Sequence, residues 1–216
     1  MKTMFAAMAG IVLMADAASA ATIHLNTAKH WTSGSHTYSN GSHSVDVSGW
    51  KYDGYENTLK SSYPKLASWG GSYGGVGICS GVVWHGGCYL DSHMVDGRYK
   101  DEMAVFDFGS DVVKLTGVTL AYADHNDKFD VLAFGNGTGA AATDYDWDVS
   151  LNGYGVKMAS ISGLDTGSVF GIGAYHGHSE FKIQKIHFEV VPLPAAGWLL
   201  LAGVGGLAAL KRRKKA

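Results

Sequence analysis

Residues 103–122 read MAVFDFGSDVVKLTGVTLAY. In the first half, Ala104, Phe106 and Phe108 fall on one face of an extended chain and Asp107 on the other, the period-two pattern of a half-buried strand. Gly109, Ser110 and Asp111 supply a turn, and a second apolar run fills 112–122. There Val113 and Leu115 share one face while Val118, Leu120 and Tyr122 share the other, so the phase changes at Gly117 and predicts a bulge or bend. Two apolar strands joined by a short turn, the second of them bent, point to an antiparallel sheet protein of the two-layer kind.

The same pattern extends outward. Residues 129–134, 149–158 and 168–175 supply three further strands, separated by Gly, Asn and Asp. In 181–190, Phe181 and Ile183 are followed by Ile186, Phe188 and Val190, a slip of one residue that predicts a second bulge. Upstream, Ile23 and Leu25 mark a strand, the polar stretch to Ser44 reads as a long connection, and Val45, Val47 and Trp50 mark a strand over 44–51. Asn40-Gly41-Ser42 reads as a tight turn rather than a glycosylation acceptor. Residues 52–101 are the least regular part. Thirty glycines, three prolines and 25 aromatic residues in 216 favour many short strands and turns. The expected fold is an all-β, jelly-roll-like antiparallel β-sandwich.

Both ends are of a different character. Residues 1–20 carry Lys2, an apolar stretch over 4–15 and Ala18-Ser19-Ala20, which reads as a secretory signal peptide cleaved before Ala21. Residues 191–216 read VPLPAAGWLLLAGVGGLAALKRRKKA. Pro192 and Pro194 interrupt the strand pattern, and an apolar run over 195–210 predicts a single transmembrane helix. Sixteen residues at 1.5 Å each span about 24 Å, short against about 30 Å of hydrocarbon. Lys211, Arg212, Arg213, Lys214 and Lys215 would hold the far end in the cytoplasm. Three segments follow: 1–20, an ectodomain over 21–190, and the tail 191–216.

The order of motif, apolar helix and basic cluster resembles the C-terminal sorting signal of exosortase substrates, the PEP-CTERM class. Val191, Pro192, Leu193, Pro194 and Ala195 match its VPLPA-CTERM variant without a mismatch. The resemblance implies a bacterial protein anchored in the inner membrane on the periplasmic side. An exosortase-type peptidase would then cut near the motif and pass the ectodomain to the cell surface or the medium. Val95-Asp96-Gly97, Phe106-Asp107-Phe108, Val113-Lys114-Leu115 and Asp127-Lys128-Phe129-Asp130-Val131 are also similar to ectodomains that carry such tails. That second likeness implies a secreted β-sandwich and no particular reaction.

Charge narrows the partners. Residues 21–190 hold 18 Asp and Glu against 11 Lys and Arg, a charge of −7. Such a surface repels phosphate backbones, which argues against nucleic acid and for cations, exopolysaccharide or neutral glycans. Cys79 and Cys88 are the two cysteines, and in an oxidising compartment they are expected to form a disulfide around a short loop. A loop of that size stabilises by about 2 to 3 kcal/mol. Metal binding by the pair with His85 or His93 is the alternative.

Four side-chain groups could carry chemistry. Asp124, Asn126, Asp127 and Asp130 lie in one turn and strand start, and Asp144, Asp146 and Asp148 alternate through the next acidic run. Either group could supply oxygen ligands, and Asp124, Asp127 and Asp130 are the expected ligands should structural calcium bind; solvated acidic turns are the competing account. His176, His178 and Glu180 could face a transition metal if extended, although Gly177 favours a turn. Trp69 and Tyr73 in a glycine-rich setting, and Trp84 in the cysteine loop, are candidates for stacking on sugars; packing in the core is the competing account. No nucleophile elbow, P-loop or dinucleotide fingerprint occurs, so no enzyme and no required cofactor are expected. The expectation is a non-catalytic structural or adhesive component of the envelope or exopolysaccharide matrix, with a carbohydrate-binding module as the alternative. A secreted polysaccharide hydrolase, needing two carboxylates across a cleft, ranks behind both.

Overall fold

The computed structural model describes residues 18–27, 30–32, 34–53, 58–62, 65–79, 82–84, 87–89, 94–97, 101–124, 127–134, 142–148, 155–174 and 179–192. Side chains are described there except at 30–32, 58, 61–62, 82–84, 87–89 and 142–148. Ser19–Val191 is one compact unit. Of the other, Met1–Ala18 with Pro192–Ala216, all but Ala18 and Pro192 lies outside the described residues, and so do most of the expected signal peptide, the sorting helix and the basic cluster. Among the described residues no helix is long and apolar enough to cross a membrane.

The described chain is all-β. Its strands are β1 (Ser19–His24), β2 (His30–Thr32), β3 (Ser35–Ser39), β4 (Ser44–Asp53), β5 (Thr58–Ser62), β6 (Lys65–Trp69), β7 (Gly75–Cys79), β8 (Val82–Trp84) and β9 (Gly87–Tyr89). They continue as β10 (Val95–Asp96), β11 (Glu102–Asp107), β12 (Val113–Ala123), β13 (Lys128–Phe134), β14 (Ala142–Asp148), β15 (Gly155–Ser160), β16 (Val169–Ala174) and β17 (Glu180–Val190). Among the described residues one eight-stranded sheet runs β15-β12-β17-β7-β6-β2, with β1 and β10 also paired to β17. A seven-stranded sheet runs β14-β13-β16-β11-β4-β3, with β5 also on β4, while β8 and β9 form a separate two-stranded sheet. All the pairings within the two sheets are antiparallel.

Strand β17 is the spine of the first sheet. On one side it pairs with β12, and on the other with β10, β7 and β1 in succession. Its inward residues Phe181, Ile183, Ile186 and Phe188 join Leu66, Ile78, Leu115 and Leu120 of the same sheet in one apolar cluster. Val47, Phe106, Phe129, Val131, Phe170 and Ile172 of the other sheet complete that cluster. Two sheets sharing one buried layer make the β-sandwich arrangement. Each large side chain removed from water there contributes about 1.5 to 3 kcal/mol.

Both expected bulges are present. The β12–β17 register skips Thr116 between Leu115 and Gly117, which lets Val113, Leu115, Val118 and Leu120 all face the core. It skips Gln184 of β17 between Thr119 and Leu120, where the apolar phase slips. A third irregularity, between Ala121 and Ala123 against β15, corrects one expectation. Tyr122 does not share the inward face of Val118 and Leu120: it is 41% exposed, and Ala123 takes the core position.

The polar stretch before Ser44, expected to be a connection, holds β2 and β3. Ser/Thr/Tyr alternation in β3 pairs residue by residue with β4, from Ser35↔Ser48 to Ser39↔Ser44. Their joining turn is closed by Asn40, whose Oδ1 accepts from the Ser42 and His43 N–H groups at 3.0 and 2.8 Å. The acidic run over 144–148 lies in β14, paired with β13 so that Asp146 stands opposite Asp130. A second apolar cluster of Tyr52, Met103, Val105, Leu132, Phe134 and Val169 occupies the other face of the seven-stranded sheet. Met103 fits there because Gly171 has no side chain: a Cβ at that position would stand 2.3 Å from its sulfur.

Candidate functional site

The connection from β6 to β7 is the five-residue turn Gly70-Gly71-Ser72-Tyr73-Gly74. Gly71 has φ +95, and a Cβ on Gly74 would lie 2.2 Å from the Trp69 carbonyl oxygen, so this path needs glycine at both positions. The turn is held from beneath. Gln184, the bulged residue of β17, is buried, and its Nε2 donates to the Ser72 carbonyl at 2.9 Å and to the Gly74 carbonyl at 3.3 Å. Asn26 Nδ2 donates to the Gly71 carbonyl at 3.4 Å. A tied-down turn of this kind holds Tyr73, half exposed at 50%, in one place.

Around Tyr73 the outward face of the first sheet gathers an aromatic group. The Tyr73 and Tyr122 rings are 5.5 Å apart between centroids and tilted by 50°. Lys182 of β17 places its Nζ 4.5 Å from the Trp69 ring centroid and 4.6 Å from that of Tyr122. The ammonium is thus shared between two rings, each presenting the negative face of its π system. Burial pushes the Lys182 pKa below its usual range.

Tyr122 reaches this position through its backbone. Its φ is +63, left-handed for a residue with a Cβ, and conformations of this kind cost about 1 to 3 kcal/mol. Tyr73, Tyr122, Val156 and Met158 are the exposed large hydrophobic residues among those described, and the two aromatic ones touch each other. Flat, fixed ring faces beside an ammonium suit a ligand with an apolar C–H face and polar edges.

The structure thus brings together Trp69 and Tyr73 of the expected sugar-stacking residues; the side chain of Trp84 lies outside the described residues. It adds Tyr122 and Lys182, which the sequence reading missed. Alternation placed Tyr122 in the core, and nothing in the local sequence of Lys182 shows that it lies between rings on β6 and β12.

The acidic turn is of a different kind. Asp127 is 3% exposed, its Oδ2 accepts from the Asp124 N–H, and its Oδ1 accepts from the Glu180 N–H at 2.8 Å. Beside it, buried Ser179 accepts from the Lys128 N–H at 2.9 Å through Oγ. Burial pushes the Asp127 pKa up to about 6 against the lowering effect of these backbone bonds. Asp127 therefore ties the start of β13 to the start of β17. Among the described residues no group of three or more His, Cys, Asp or Glu could hold a metal ion. Of the expected calcium ligands Asp124, Asp127 and Asp130, Asp127 has both carboxylate oxygens accepting backbone N–H groups.

His176 and His178 lie outside the described residues. Cys79 is fully buried and no described cysteine is free, while the side chain of its expected partner Cys88 lies outside them. His187 on β17 bridges two neighbouring strands, with Thr22 Oγ1 2.9 Å from Nδ1 and Thr119 Oγ1 2.9 Å from Nε2.

No family model and no curated protein matches the chain. Among solved structures it is similar to the family 32 carbohydrate-binding module of C. perfringens NanJ in complex with galactose. The identity is 12%, the alignment covers 68% of this chain and 93% of that one, and the TM-score is 0.30, too low to bear on fold or ligand.

Proposed function

We propose that this chain is an exported, non-catalytic saccharide-binding protein, with an adhesive role at the cell surface or in an exopolysaccharide matrix. The observation that carries the reading is the fixed group of Trp69, Tyr73 and Tyr122 around Lys182, exposed on one sheet face. Aromatic rings left on a surface by a pinned glycine turn and a strained tyrosine are there at a cost to folding, which the sandwich core does not require. Neutral glycans stack on such rings through their C–H faces. A glycan array probed with the full-length chain and with its Tyr73→Ala/Tyr122→Ala variant tests this. Binding that falls about tenfold or more in the variant, at unchanged melting temperature, is the expected result. An array on which the parent chain binds nothing would leave only the structural role.

Delivery to that location rests on the sequence of the two ends. The tail 191–216 supports a transient inner-membrane anchor processed by an exosortase-type peptidase at Val191, Pro192, Leu193, Pro194 and Ala195. Residues 1–20 support export, with Ala18 and Ala20 flanking the cleavage point before Ala21. Cleavage there would remove the Ser19↔Val190 and Ala20↔Glu189 pairs and leave 21–24 paired with β17. The jelly-roll description of the sandwich and the Cys79–Cys88 disulfide belong to the same reading. Intact mass of the protein from its host's surface decides the delivery question. A chain starting at Ala21 and ending within 191–195 is expected, and one still ending at Ala216 in the membrane fraction would mean a plain anchor.

A further inference from the structure

We infer that the aromatic group selects a carboxylate-bearing sugar, a uronate residue whose carboxylate is bound by Lys182. The inference rests on the saccharide reading above and makes it more specific.

The Lys182 side chain is half-buried, and its Nζ sits against the faces of Trp69 and Tyr122. Among the described residues no carboxylate lies within ion-pair distance of it. Ring faces attract a cation but accept no strong hydrogen bond, so an ammonium with three N–H donors keeps donor capacity for a ligand. A partly desolvated cation in that condition gains most from an anion brought to it.

Geometry limits the anion. In a hexuronate the carboxylate is attached at the rim of the pyranose ring, so one residue can lay its C–H face on a tyrosine and turn its carboxylate to the neighbouring lysine. Tyr73 and Tyr122, at 5.5 Å and tilted by 50°, offer the ring faces, and Lys182 is already at Tyr122. Outward from Lys182 along β17 the next half-buried residue past the Gln184 bulge is Lys185, a second cation. Residues 21–190 are acidic overall, which works against an anionic ligand at long range. That repulsion is screened over about 8 Å at physiological salt, so the groups in contact decide the preference.

Titration calorimetry of the full-length chain in a non-glycosidic detergent tests the inference. The probes are trimers of galacturonate and of glucuronate, each set against its methyl ester, which keeps the ring and removes the charge. The expected result is that at least one acid binds about tenfold more tightly than its ester, the scale of one hydrogen bond to a charged group. Lys182→Gln should bring acid and ester to within about twofold, and Lys182→Arg should keep the preference. Equal binding of acid and ester by the parent chain would overturn the inference and leave the saccharide reading standing. Binding of neither acid nor ester would also overturn the inference, and the glycan array would then decide the saccharide reading by itself. A preference that survives in Lys182→Gln with unchanged melting would overturn the assignment to Lys182.

Discussion

Two turns that leave strands of the first sheet, the acidic one after β12 and the glycine one after β6, differ in where their functional groups point. In the acidic turn around Asp127 every described polar contact closes on the protein itself: two backbone N–H groups are held by one carboxylate, and Ser179 holds a third. In the glycine turn before β7 the backbone is equally well held, by Gln184 and Asn26, but the side chain it presents is spent on nothing below it. Tyr73 lies half exposed on Tyr122, whose ring stands beside a cation. The sequence makes the acidic turn look like the binding site, since four potential oxygen donors sit within seven residues. Hydrogen bonding shifts that impression: the Asp127 carboxylate of the acidic turn is engaged in folding, and the aromatic surface of the other turn is not.

Mutations should separate the two turns. The largest effect is expected for Asp127→Ala, which leaves the Asp124 and Glu180 N–H groups without their acceptor; urea unfolding below about pH 6, where Asp127 contributes most, should show a loss of about 2 to 3 kcal/mol with saccharide affinity kept. A loss of affinity with intact stability would make Asp127 a ligand group after all. Next comes Tyr122→Gly, for which the same two measurements should move in opposite directions. Glycine relieves the φ of +63 and should raise stability by about 1 kcal/mol while binding weakens. If stability falls instead, the ring is part of the framework and the contrast between the turns weakens.

The last effect is one of pH. Asp127 has its pKa raised from 3.8 to about 6, so the folded chain holds that proton more tightly than the unfolded one. Its contribution to stability is fully present below about pH 3.8 and is lost as pH rises through about 6. Subtracting the stability–pH curve of Asp127→Ala from that of the parent should reveal this fall. A difference curve that rises over the same window would mean that the two backbone bonds outweigh burial.

Much of the framework was legible because apolar alternation survives wherever one face is buried. Phe106, Phe108, Val131 and Phe188 all lie where alternation puts them, and the slips at Gly117 and between Ile183 and Ile186 marked two bulges. The third bulge left no such mark. After Tyr122 come Ala123 and Asp124, which give no apolar rhythm against which a slip could be noticed. Of the site, Trp69 and Tyr73 were legible from the glycines around them. Lys182 was not, since its position depends on the pairing Ala121↔Lys182 and on a ring from β6, both far away in the chain. Strands β2 and β3 were missed for a related reason: the described part of β3 is polar except for Tyr38, which alone reaches the core and so leaves no apolar alternation to read.

The central place of β17 has a mechanical consequence. Lys182 is near one end of this strand and Val191 follows the other, about 31 Å away at 3.4 Å per residue. A ligand gripped at the first end and an attachment made beyond the second would pull along the strand. The hydrogen bonds to β12 and β1 on its two flanks run across that direction. They would therefore carry the load together, in shear, instead of opening one after another like a zip. Tension between the two ends would be borne by the strand with the most neighbours to lose.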